Sequence, residues 1–125
     1  MEKIVKTMKL HLKIETFDPK LDSDLFEATK LRAGQEKIIS NGVSIRLESY
    51  KLRETVLPTI AFDVLVSIGQ NVVLPIAISI LSNYLYDKLK RRKDNTLVIN
   101  NKSIEIDAEQ IKQLIINIAN EEKDE

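Results

Sequence analysis

The sequence predicts an α+β domain: a mostly antiparallel four-stranded sheet with helices packed on one face, in the order β-α-β-α-α-β-β-α. Three observations predict it. Met8, Leu10, Leu12 and Ile14 alternate with Lys9, His11, Lys13 and Glu15, the period of a half-buried strand. Leu97-Val98-Ile99 and Ile104-Glu105-Ile106 flank Asn100-Asn101, a pair suited to the positive φ angles of a tight hairpin turn. Ile111, Leu114, Ile115 and Ile118 recur at i, i+3, i+4 and i+7, the stripe of an amphipathic helix.

The remaining elements follow along the chain. Asp18-Pro19 ends the first strand, and Ser23 is placed to cap a short helix carrying Leu25, Phe26, Ala28 and Leu31. That helix is expected to break near Gly34, and no element is legible from Arg32 to Ser40. Asn41-Gly42 signals a turn. Val43, Ile45 and Leu47 then alternate with Ser44, Arg46 and Glu48 as a second strand, and the polar residues from Glu48 to Thr55 lead out of it. Leu57-Pro58 and Leu74-Pro75 punctuate an apolar stretch, and proline suits the first turn of a helix. Two helices are expected there, about Pro58 to Ile68 and about Leu74 to Lys93, with one kinked helix as the alternative. A two-residue loop at Asn100-Asn101 pairs Leu97 with Ile104 and sets Leu97, Ile99, Ile104 and Ile106 on one face. Asp107 caps the last helix, with Gln110 as its capping-box partner. Residues 1–120 are read as one domain and 121–125 as an acidic, frayed tail.

Lysine plus arginine equal aspartate plus glutamate at 19 each, which disfavours a broad nucleic-acid-binding face. The chain has no cysteine and no tryptophan. Disulfides, thiolate chemistry and cysteine-based zinc sites are thereby excluded, and stacking on single-stranded bases has few candidates. A cytoplasmic location is expected: the N-terminus carries no signal-length apolar run, and the missing cysteines fit a reducing compartment.

No catalytic, cofactor-binding or metal-binding constellation emerges. His11 is the single histidine, on the polar side of the first strand, with no second histidine to share a metal. The three glycines are too few for a phosphate cradle. Asp18, Asp22, Asp24, Glu105 and Asp107 read as caps and surface residues rather than as a paired acid and base.

No charged residue occurs between Asp63 and Asp87. The basic cluster Lys88, Lys90, Arg91, Arg92 and Lys93 follows, as at the inner flank of a membrane span. Against a span, Gly69 and Pro75 interrupt the stretch. Pro75 to Tyr86 is only about 12 residues, or ~18 Å of helix, against a hydrocarbon core of roughly 30 Å. The second apolar helix carries Val73, Ala77, Ile80 and Tyr84 along one side, a candidate interaction surface. Either the first and last helices cover it, or it meets a protein partner or a second copy, as a homodimer or higher oligomer. The basic cluster is read as a solubilised helix end, with phosphate or anionic lipid as its functional alternative.

The run TIAFDVLVSIGQNVVLPIAISILSNYLYDKLKRRKDNTLVINNKSIEIDAEQIKQLI, Thr59 to Ile115, joins a broken apolar helical segment and a basic helix end to a strand–turn–strand and a capped helix. In this it resembles the effector-associated constant component family of prokaryotic conflict-system proteins. The resemblance implies a non-enzymatic accessory domain with an adaptor or recruitment role, encoded beside or fused to effectors and NTP-dependent signalling proteins. It implies no catalytic residues. A protein-interaction domain is therefore the expectation, with membrane association and weak nucleic-acid binding as alternatives.

Overall fold

A computed structural model describes residues 7–18, 20–28, 32–53, 59–69, 72–90 and 95–123. Among the described residues the fold is α+β, with a six-stranded antiparallel sheet rather than four strands, and three helices. The elements are β1 (Met8–Thr16), α1 (Leu21–Phe26), β2 (Glu36–Ser40), β3 (Val43–Arg53), β4 (Thr59–Ile68), α2 (Leu74–Leu89), β5 (Thr96–Ile99), β6 (Lys102–Ile104) and α3 (Ala108–Lys123). The strand order is β2-β3-β4-β1-β5-β6, which puts the first strand near the middle.

β1 follows its alternation. Leu10, Leu12 and Ile14 are fully buried, whereas Lys9, His11 and Lys13 are exposed. The register sets Leu12 between Val64 of β4 and Ile99 of β5. Because β4 and β5 both run antiparallel to β1, they run parallel to each other with β1 between them. α2 is the crossover of this split β-α-β unit and must traverse the sheet. It buries Ala77, Ile78, Leu81, Leu85 and Leu89 in a cluster that also takes in Leu21 and Leu25 of α1, and Ile111, Ile115 and Ile118 of α3.

The expected helix from Pro58 to Ile68 is strand β4; Pro58 itself lies outside the described residues. Phe62, Val64, Val66 and Ile68 face the core, and Ala61, Asp63, Leu65 and Ser67 alternate with them. Apolar Ala61 and Leu65 on the second face hid the period of two. A strand with neighbours on both sides tolerates such a near-continuous apolar run. The stretch from Arg32 to Ser40, where no element is expected, holds β2, which Asn41-Gly42 joins to β3. Gly42 takes a φ of +84°, and a Cβ there would meet the Val72 side chain, so the turn requires glycine on both counts.

β3 does not end at Glu48. The register shifts between Leu47 and Ser49, a bulge that inserts Glu48, and the strand continues to Arg53. The α1 boundaries differ too. Lys20 rather than Ser23 precedes the first turn, and the helix stops at Glu27, whose φ is +51°, well before Gly34. α2 ends at Leu89, short of Lys93, and Arg91 to Lys93 lie outside the described residues.

The hairpin matches its reading. Asn100 and Asn101 take φ angles of +47° and +69°, and Leu97 pairs with Ile104. Ile106 lies beyond β6 and packs half-buried against the core. Asp107 Oδ2 accepts the Gln110 N–H at 3.0 Å, capping α3. α3 runs on to Lys123, so the acidic end of the chain begins as helix.

Candidate functional site

The uncharged stretch from Val64 to Tyr86 is divided between β4 and α2. Among the described residues no helix is long and apolar enough to cross a membrane.

α2 lies between α1 and α3, and the four side chains read as one surface are separated by that packing. Val73 is 62 % exposed at the helix start, Ile80 is half-buried, and Ala77 is buried in the core. The Tyr84 hydroxyl donates to the Leu25 carbonyl, which pins α2 to α1. Burial, with a smaller contribution from the nearby Glu27 carboxylate, pushes the Tyr84 phenol up to about 12. The apolar side chains left open at the start of α2 are therefore Val73, Pro75 and Ile76, the last 59 % exposed.

The two described members of the basic cluster are engaged. Lys88 Nζ is 3.2 Å from Glu27 Oε2 and lies over the Tyr84 ring, 5.4 Å from its centroid. Lys90 pairs with Asp87 at 3.3 Å and lies over Tyr86. Glu27 also receives Lys37 of β2 at 2.8 Å, so one carboxylate joins α1, β2 and α2. The hydrogen bond from Lys37, then that from Lys88, holds the Glu27 carboxyl below its ordinary value. A depressed folded pKa gives stability that is complete above the ordinary value near 4.5 and is lost as pH falls through the lower folded value. Glu27→Gln is expected to remove this component. Urea midpoints of the wild type and the variant, measured between pH 7 and pH 3, should converge as the pH falls. A constant separation would show that Glu27 does not titrate against the two lysines.

A second open apolar surface lies on β3. The bulge at Glu48 moves the alternation by one residue, so Tyr50 and Leu52 take the core-facing side opposite Phe62 and Ile60. There they are 55 % and 58 % exposed. The alternation of Ser49, Tyr50, Lys51 and Leu52 was visible in the sequence, but out of phase with Val43, Ile45 and Leu47. The inserted residue cannot be seen without the register. Ser49 Oγ donates to Asp63 Oδ2 at 2.9 Å, which secures the strand just past the bulge.

The described residues also form two clefts. One of about 490 Å³ lies between the end of α2 and the β5–β6 hairpin, lined by Tyr86, Lys90, Thr96, Ser103 and Glu105. The other, of about 320 Å³, lies on the open face of the sheet beside His11, Lys13, Glu48 and Asp63. The His11 backbone exchanges hydrogen bonds with Asn100 at 2.8 Å. Among the described residues no group of three His, Cys, Asp or Glu side chains is placed to hold a metal ion. Asp18 and Asp107 are engaged in turning and capping the backbone.

No family model, curated protein or solved structure matches this chain.

Proposed function

We propose that this chain is a cytoplasmic, non-catalytic protein-interaction domain with an adaptor role, an accessory of a prokaryotic conflict system as its family resemblance implies. The observation that supports this reading is the exposure of large apolar side chains in neighbouring pairs: Val73 and Ile76 at the start of α2, and Tyr50 and Leu52 on β3. Apolar groups held open on rigid elements gain free energy when a partner removes them from water. The domain binds a protein, either a second polypeptide or another copy of itself.

The test is site-specific photocrosslinking in the native cell. A benzophenone side chain is placed at Ile76, at Tyr50 and, as an exposed polar control, at Lys102. A discrete adduct is expected from Ile76 or Tyr50 and not from Lys102. If neither apolar position forms one, the interaction reading fails.

A further inference from the structure

β3 is longer than the strand beside it. Gly34 and Gln35 extend the pairing of β2 as far as Leu47, through Gly34 N–H to the Leu47 carbonyl at 2.6 Å and Leu47 N–H to the Gln35 carbonyl at 2.9 Å. Past the bulge, residues 49–53 pair with β4 on one side, and among the described residues no strand pairs with their other side. Among the described residues this edge is unpaired over about five residues, or ~17 Å, and alternate backbone N–H and C=O groups point outward along it. Tyr50 and Leu52 stand exposed on one side of that edge, with Ile60 half-buried across from Leu52. Lys51 stands exposed on the other side, across from Ala61.

Resting on the interaction-domain reading above, we propose that this edge receives an extended segment of another protein as an added β-strand. The segment alternates apolar residues with acidic ones and sets a carboxylate opposite Lys51. Backbone hydrogen bonds supply affinity in such pairing, and the alternate side chains supply selectivity. Apolar residues of the segment lie beside Tyr50 and Leu52 and shelter them from water. Lys51 argues against a second copy as the occupant. An antiparallel two-fold pairing centred on Lys51 opposes that lysine to itself. Like charges directly across a pair of strands are destabilising. An edge lysine and a neighbouring bulge also discourage indiscriminate pairing, and both stand here.

The probe is an acetylated, amidated heptapeptide alternating valine and glutamate, compared with its valine–lysine counterpart. Both are titrated into the full chain and followed by amide shifts and hydrogen exchange. The glutamate peptide is expected to protect amides within residues 49–53 and to bind about tenfold more tightly than the lysine peptide, the order expected of ~1.4 kcal/mol. Lys51→Glu, a change at an exposed position, should reverse that preference. No protection at 49–53 from either peptide, or a preference unaltered by Lys51→Glu, overturns the proposal. A dimer seen by sedimentation and dispersed by Tyr50→Ser with Leu52→Ser also overturns it, in favour of self-pairing. A crosslinked partner at Ile76 without protection at 49–53 removes the edge assignment alone. The absence of adducts at both Ile76 and Tyr50 removes the interaction reading itself.

Discussion

Leu12→Ala is expected to lower the unfolding free energy by about 2–5 kcal/mol, the usual range for a buried leucine. Leu12 is fully buried in the middle of β1, paired with Val64 on one side and Ile99 on the other. The alanine leaves a void where strands from both halves of the chain meet, and neither neighbour can collapse into it without losing its own register. Domains of this size are stable by about 5–15 kcal/mol, so the loss is a large share of the total. Ile38 is the control. It is also an aliphatic strand residue, but it is 71 % exposed, so Ile38→Ala should stay within about 0.5 kcal/mol. Urea denaturation of the two variants measures the contrast. Equal, small losses would contradict the central position of β1.

The second large effect is expected from Asn95→Leu, at about 2–4 kcal/mol. Asn95 is 6 % exposed and joins three elements. Its side-chain amide donates to the Leu89 carbonyl at 2.9 Å, at the end of α2. Its carbonyl oxygen accepts the Thr16 hydroxyl at 2.6 Å, at the end of β1, and Thr16 Oγ1 in turn accepts the Asp18 N–H at 2.9 Å. Leucine keeps the bulk but leaves a buried carbonyl and a buried hydroxyl without these partners, and buried polar groups left unmatched lose their full hydration. Thr16→Val removes the other half of the pair. The double variant should therefore lose less than the sum of the two single losses, by about 0.5–3 kcal/mol. Thermal or urea unfolding of the four proteins in this cycle tests the point. Strict additivity would mean that Thr16 and Asn95 do not share a hydrogen bond.

The candidate surfaces were legible to different degrees. Val73 and Ile76 belong to an apolar stretch that the residue order shows directly, but Ala77 and Tyr84 on the same helix are taken up by the core and by Leu25. Periodicity locates an apolar stripe; it does not say which part of the stripe another helix covers. Tyr50 and Leu52 were hidden by one residue: the bulge at Glu48 turns a continuing alternation into an apparent loss of pattern. Among the basic residues, the partners of Lys88 include Glu27, which lies 61 positions away, so the cluster looked freer than its described members are.

Local chemistry determined the elements whose environment is one-sided. β1, the Asn100-Asn101 hairpin and α3 each face the core with one side and water with the other, so their period appears directly in the order of residues. Only the tertiary structure decided that β4 is a strand, that six strands form the sheet, and that β1 lies between β4 and β5. β4 has partners on both edges and apolar residues on both faces, so no local pattern separates it from a buried helix. Sheet order, and the share of α2 left open, depend on contacts between residues far apart in the chain, where no short window of sequence holds both partners.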